Sequence, residues 1–212
     1  MRGRAVYFGT GLVSMATLML EIGLTRLFSA TMYYHFAFLS ISLALLGSGA
    51  GGIAVYLARR RALGRSVSRL MTGSALLSAA TTFAAVVIVV RSPLGLEADW
   101  TTLGRLALVC SASALPFFFA GSSVALAVAT LPERIHSLYF FDLGGAAAGC
   151  LLLVPALDAL GAVDALFLAA TLAALAGALF GLAPGGGRLA CVAGLAVTVA
   201  CASVLAANAL TG

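Results

Sequence analysis

Two acidic residues stand inside long apolar stretches of the chain, and they are the side chains with the clearest potential for chemistry. Glu21 follows Leu20 directly, and Asp142 follows the run Tyr139-Phe-Phe. A carboxylate inside a membrane is unfavourable unless a cation or a hydrogen-bond donor meets it, so intramembrane acids often belong to binding sites. Each acid therefore indicates either a polar clamp between helices or a binding site for a cationic or zwitterionic ligand.

Glu21 and Arg26 each need a partner on another segment, and His35 and Arg105 lie at about the same level of the predicted helices. Arg26 lies five residues further along the same segment, roughly 140° around an ideal helix, so it does not pair with Glu21 along one face. A contact with His35 or Arg105 would clamp the first, second and fourth segments together. Without such a contact, the carboxylate would be available to a ligand.

Asp142 allows a third, purely structural interpretation. If the fifth helix begins at Asp142, the carboxylate caps the amides of the first turn and is stabilised by the helix dipole. If the helix begins earlier, Asp142 lies inside the membrane and needs Arg134, Tyr139 or a residue of another helix as its partner. Glu21 and Asp142 are predicted at different depths, so a site containing both would require a tilted or broken helix.

Several kinds of catalytic site are excluded by residues that are missing or dispersed. The chain has no lysine, which rules out a Schiff base with retinal or pyridoxal phosphate. His35 and His136 are predicted on opposite sides of the membrane, and the four cysteines form no CxxC pair. The glycine-rich turn 184–188 lacks the flanking strand of a phosphate-binding loop. We therefore predict no catalytic residue, no metal and no cofactor.

The composition predicts that these residues belong to an integral membrane protein. Hydrophobic residues make up 62% of the 212 residues and charged residues only 9%, and the mean hydropathy is +1.13. A water-soluble domain of this size would lack polar surface with such a composition. All 12 basic residues are arginines placed near predicted loops, so the net charge of +5 reflects membrane topology and no nucleic-acid partner is expected.

The apolar pattern predicts one transmembrane domain over residues 1–212, an all-α bundle of about seven membrane-spanning helices. Each segment is about 20 residues or more, the length that crosses a bilayer as a helix. The predicted spans are 5–27, 36–58, 70–90, 106–131, 137–157, 163–183 and 189–210.

The distribution of arginines predicts the orientation. With the N-terminus in the cytoplasm, nine arginines fall on the cytoplasmic side and three on the other, as the positive-inside rule favours. An odd number of spans leaves the C-terminus outside, whereas a sixth or seventh segment lying flat would return it to the cytoplasm. The cluster 59–65, which contains four of the arginines, is interpreted as a topology anchor or, alternatively, as a contact for anionic lipids.

Small residues and one proline indicate where helices meet and bend. Gly47 and Gly51 in the second span, and Gly145 and Gly149 in the fifth, have the four-residue spacing that lets two membrane helices approach closely. Pro116 removes one backbone hydrogen bond in the fourth span, which predicts a kink there.

Five stretches together resemble the multi-helix membrane domain of bacterial spermidine-synthase-like (polyamine aminopropyltransferase-like) proteins. Their order and spacing agree with that domain from about residue 10 to residue 165. These stretches are Leu20-Glu21-Ile-Gly-Leu-Thr25-Arg26, Leu43-Ala-Leu-Leu-Gly47-Ser-Gly-Ala-Gly-Gly52, Leu115-Pro116-Phe-Phe-Phe-Ala-Gly121, Leu138-Tyr139-Phe-Phe-Asp142-Leu-Gly-Gly-Ala-Ala-Ala-Gly149 and Leu153-Val-Pro155.

The resemblance implies a membrane module without the catalytic part. Proteins of that family usually carry a soluble Rossmann-like domain that binds an adenosyl-sulfur donor, and this chain has no strand–glycine-rich turn–helix unit to match it. We therefore expect a non-catalytic module in a bacterial cytoplasmic membrane. It would contact membrane lipids and serve as the anchor or scaffold subunit of a partner enzyme or larger membrane complex. The alternative is a small transporter for an organic cation such as a polyamine.

Overall fold

A computed structural model describes residues 2–31, 36–62, 67–92, 99–183, 185 and 187–211, and in these residues the chain forms seven α-helices. A short 3₁₀ turn at Pro132–Arg134 precedes the fifth helix. The prediction of an all-α fold is confirmed. The helices are α1 (Arg2–Thr31), α2 (Ala37–Ala62), α3 (Val67–Arg91), α4 (Trp100–Thr130), α5 (Ile135–Leu160), α6 (Ala162–Gly181) and α7 (Arg188–Thr211).

Six helices, α1 to α6, are long and apolar enough to cross a membrane, which is the make-up of a multi-pass membrane protein. In α7 the described apolar stretch, Cys191–Ser203, is shorter. The 30 residues of α1 and the 31 of α4 correspond to about 45 Å each, which exceeds the hydrocarbon thickness of about 30 Å. These two helices therefore have room to tilt or to project beyond the apolar layer.

The helix at the centre of the bundle is α6, which packs against α1, α3 and α7. Its buried residues are mostly alanines, and their small side chains let the neighbouring helices come close. In the apolar part of α6, 67% of the residues are buried, compared with 17% in α5. The sixth segment therefore runs through the bundle, while α5 lies at its edge and packs mainly on α1.

Glycines of α5 hold that helix directly against α1. A Cβ atom at Gly149 would lie 2.5 Å from the carbonyl oxygen of Met15, and a Cβ atom at Gly145 would collide with the backbone of Gly11. Since residues four apart in α5 meet residues four apart in α1, the two helices run parallel. No side chain separates their backbones at this contact.

A second pair of glycines holds α2 against α4. A Cβ atom at Gly47 would lie 2.5 Å from the carbonyl oxygen of Ala114, and one at Gly51 would collide with the carbonyl oxygen of Phe118. In return, a Cβ atom at Gly121 would lie 2.6 Å from the Cα atom of Ser48. The α2–α4 contact is therefore formed from backbone on both sides.

Four serines link helices that are far apart in sequence. Most described serine and threonine hydroxyls donate to carbonyl oxygens of their own helix, but these four donate to another helix. The four hydrogen bonds run from Ser14 of α1 to Asp142 of α5, from Ser40 of α2 to the Glu21 carbonyl of α1, from Ser68 of α3 to the Phe180 carbonyl of α6, and from Ser78 of α3 to the Pro116 carbonyl of α4.

Helix α4 continues through Pro116 without a break, from Trp100 to Thr130. The hydroxyl of Ser78 donates to the Pro116 carbonyl oxygen at 3.0 Å, which ties α3 to the position where the proline interrupts the backbone ladder. At the N-terminus of α4, the exposed carboxylate of Asp99 accepts hydrogen bonds from the Thr101 hydroxyl and the Trp100 amide. These two bonds lower the pKa of Asp99 below its ordinary value.

Adjacent glycines in α5 provide a matched test of the α1–α5 contact. Gly145→Ala is expected to lower the free energy of unfolding by about 1–3 kcal/mol, because the new Cβ atom forces α1 and α5 apart. Gly144→Ala should not lower stability, since no described atom of another helix lies within 4 Å of a Cβ atom there and alanine favours the helix more than glycine does. Reversible unfolding of both variants in mixed micelles measures the difference, and equal stabilities would contradict the proposed contact.

Candidate functional site

Asp142 is joined to another helix by a hydrogen bond from Ser14. The Ser14 hydroxyl, which is buried on α1, donates to Asp142 Oδ1 on α5. The glycine contacts described above bring the two backbones close enough for the short serine side chain to reach. Because α5 begins at Ile135, Asp142 lies about 10 Å inside the helix and does not cap it. The N-cap interpretation of Asp142 is therefore wrong.

Asp142 lines a groove between four helices, which we call the Asp142 groove. It has a volume of about 480 Å³ and is open along one side. It exists because α4 and α5 barely touch, while α1 contacts α2, α4 and α5. Its lining residues are Ser14, Thr17 and Leu18 from α1, Ser48, Gly49 and Gly52 from α2, Ala120, Gly121, Val124 and Ala125 from α4, and Asp142 and Ala146 from α5.

Asp142 carries the one formal charge among the residues that line this groove. The hydroxyls of Thr17 and Ser48 also line it, but they donate to the carbonyl oxygens of Val13 and Ala44 in their own helices. Among the described residues, only Ser14 donates a hydrogen bond to Asp142. A carboxylate can accept about four hydrogen bonds, so Asp142 retains acceptor capacity for further donors.

Glu21 lies elsewhere on α1, half-buried, seven residues beyond Ser14 and so about 10 Å further along the helix. Its backbone carbonyl accepts hydrogen bonds from Thr25, at 2.9 Å, and from Ser40 of α2, at 2.7 Å. No described residue forms an ion pair or a hydrogen bond with its carboxylate. Glu21 and Asp142 therefore do not share a site, and the main chain of Glu21 makes the contact with α2.

The basic residues predicted near the level of Glu21 form no ion pair with its carboxylate in the described part of the chain. Arg26 and Arg105 are both exposed, and neither forms an ion pair with an acid in the described part of the chain. His35 lies outside the described residues. Tyr139, considered as a partner of Asp142, is 63% exposed on α5 and donates no hydrogen bond to it.

Ser14, which donates to Asp142, belongs to a row of polar residues along α1, of which the quoted motifs include only Glu21 and Thr25. Five polar residues repeat along α1 at intervals of three or four, which places them on one face of the helix. Ser14 and Thr17 of this row line the Asp142 groove. Because the rest of α1 is so apolar, the spacing of these polar residues is a sequence signal for the face of α1 that contacts Asp142. Its members are Thr10, Ser14, Thr17, Glu21 and Thr25.

Comparison of the chain with protein-family models, curated proteins and solved structures gives no match. The resemblance to the spermidine-synthase-like membrane domain stays a prediction.

The hydrogen bond between Ser14 and Asp142 should be measurable as a coupling energy. Hydrogen bonds between membrane helices contribute about 0.6 kcal/mol on average and up to about 1.7 kcal/mol. A double-mutant cycle of Ser14→Ala and Asp142→Ala, read from unfolding in bicelles, is expected to give a coupling within that range.

Thr17→Ala serves as the control in the same cycle, because the Thr17 hydroxyl donates to its own helix. It should show no coupling with Asp142→Ala. A coupling of zero for Ser14, or an equal coupling for Thr17, would contradict the assigned hydrogen bond.

Proposed function

We propose that this protein is a non-catalytic membrane module that anchors a partner protein through the Asp142 groove. It resembles the membrane domain of spermidine-synthase-like proteins in the stretches quoted above, and it would act as a scaffold subunit in a bacterial cytoplasmic membrane. The arginine distribution supports an orientation with the N-terminus in the cytoplasm. In that orientation Asp142 lies in the cytoplasmic half of the bundle.

The observation that carries this proposal is a set of glycines in α2 that do not contact the rest of the bundle. Gly47 and Gly51 pack against α4, but Gly49 and Gly52, on the same helix, line the Asp142 groove and have no described atom within 4 Å of a Cβ position. Glycines let membrane helices approach closely, and bulky apolar residues are more usual where a helix meets lipid. The smooth wall of the groove therefore suits a further helix.

The chemistry of the groove also fits a helix from another protein. Ala125 and Ala146 continue the small-residue lining on α4 and α5. Asp142 offers an acceptor for a hydroxyl, amide or basic side chain on the incoming helix, and such polar contacts between membrane helices give selectivity as well as stability. The partner is therefore expected to carry small residues and one donor side chain on the docking face.

Site-specific cross-linking in native membranes tests this proposal. A photoreactive residue at Ile53, which is 63% exposed on α2 next to Gly52, is expected to cross-link to one partner protein. The same residue at Val199, which is 67% exposed on α7, should not. Gly49→Leu should lower the yield at Ile53 about tenfold, because its side chain occupies the groove.

Gly104→Leu is the matched control, since Gly104 is also open but lies near the start of α4, outside the groove. It should leave the cross-link unchanged. If Gly49→Leu has no effect, or if positions 53 and 199 react equally with many proteins, the proposed docking of a partner helix is wrong.

A second candidate function is the transport of an organic cation such as a polyamine, and the position of Asp142 favours it. Asp142 lines a groove large enough for a small ligand, and among the described residues its carboxylate has only a neutral donor, Ser14. A protonated amine would supply the missing positive charge. Glu21, which has no ion pair in the described residues, would be the second counter-charge along α1.

Uptake of radiolabelled spermidine into proteoliposomes tests the transport candidate. Asp142→Asn keeps the size of the side chain and its acceptor oxygen but removes the charge, so uptake should fall to the level of empty liposomes. Glu21→Gln is expected to lower uptake as well. Glu133→Gln, at an exposed position outside the groove, should have no effect. Uptake that survives Asp142→Asn would exclude this function for the groove.

A further inference from the structure

A second groove lies between α2, α3 and α4, at the end of the bundle where α3 begins; we call it the Arg69 groove. Its volume is about 520 Å³. Apolar side chains form most of its walls, among them Val55, Leu70, Leu77 and Phe118. Leu77 lies eight residues beyond Arg69 on α3, so the apolar part reaches about 12 Å from Arg69 into the bundle.

Arg69 is the one residue with a formal charge that lines this groove. It is exposed in the first turn of α3 and forms no ion pair with a described residue. The hydroxyl groups in the walls do not offer a polar alternative, because Ser74, Ser122 and Thr130 donate to carbonyl oxygens of their own helices. The groove therefore combines one cationic group at the rim with an apolar interior.

The charge around the rim favours an anion. No acidic residue occurs between Glu21 and Glu97, so α2, α3 and their connection carry only positive charges. The basic cluster 59–65 precedes Arg69 closely in sequence and begins in the last turn of α2. The first-turn amides of α3 add partial positive charge at the same place. The opposite charges of Glu133 and Arg134, which are both exposed just after α4, nearly cancel one another.

We propose that the Arg69 groove binds an anionic phospholipid, with the phosphate at Arg69 and an acyl chain along Leu70 and Leu77. A free phosphate ion would leave the apolar walls without a partner, and an uncharged lipid would not use Arg69. Basic pockets between membrane helices are known to hold anionic headgroups in this way. The site is independent of the Asp142 groove, which has the opposite charge, is lined mostly by small residues and shares no lining residue with it.

Lipid binding to the whole purified protein tests the proposal, with native mass spectrometry counting bound lipids. The two probes are a phosphatidylglycerol and a phosphatidylcholine that carry identical acyl chains. The wild-type protein is expected to retain phosphatidylglycerol more strongly. Arg69→Gln should weaken phosphatidylglycerol binding about fivefold and leave phosphatidylcholine unchanged, because a single arginine near a membrane surface contributes about 1 kcal/mol.

Two further variants separate the headgroup from the acyl chain. Gly73 lines the groove with no described atom within 4 Å of a Cβ position, so Gly73→Leu should fill the groove and weaken both lipids without disturbing the helices. Arg91→Gln, at the exposed opposite end of α3, is the control for a general loss of charge and should change neither lipid.

Three results would overturn the proposal. The first is equal loss of phosphatidylglycerol in Arg69→Gln and Arg91→Gln, which would indicate charge attraction without a site. The second is displacement of the bound lipid by inorganic phosphate alone. The third is unchanged binding of both lipids in Gly73→Leu, which would show that no acyl chain occupies the groove.

Discussion

Direct contact between helix backbones is the constraint on which the arrangement of this bundle depends. Where glycines remove the side chains, α5 lies against α1 and α2 lies against α4, with carbonyl oxygens at the contact. The two helices within each pair are in tight contact. The two pairs do not pack closely against each other along their whole length, since α4 and α5 barely touch. The Asp142 groove is the space that remains between them. The same interactions that hold the helices together thus determine where an opening remains.

The overall fold follows from simple properties of the sequence. The length and apolarity of the segments predict an all-α membrane bundle because helices satisfy their own backbone hydrogen bonds in lipid. The ends of helices were harder to predict, and α5 illustrates the reason. The sequence predicts a fifth span from residue 137, with Asp142 as an alternative start, whereas the helix begins at Ile135 after a 3₁₀ turn. That difference changes Asp142 from a candidate N-cap into a residue in the body of the helix.

The candidate site could be predicted only in part. Asp142 and the glycines stand out as residue types, since an acid and a run of small residues are unusual in an apolar segment. Their partners do not stand out, because a serine such as Ser14 is common in membrane helices and which helix faces it depends on the packing of the whole bundle. Charge alone is a poor guide for the same reason: it suggests Arg105 as a partner of Glu21, but the Arg105 side chain is exposed.

The four serine hydrogen bonds between helices have a consequence for sliding along the helix axes. Backbones that meet at glycines present nearly smooth surfaces, so van der Waals contact alone distinguishes poorly between neighbouring axial positions about 1.5 Å apart. A hydroxyl that must reach one particular oxygen is far more selective, because hydrogen bonds weaken steeply with misalignment. One such bond is present in each of the pairs α1–α5, α1–α2, α3–α4 and α3–α6, and each opposes sliding of one helix along the other. Together they set a single axial position for each of these helices against its neighbour.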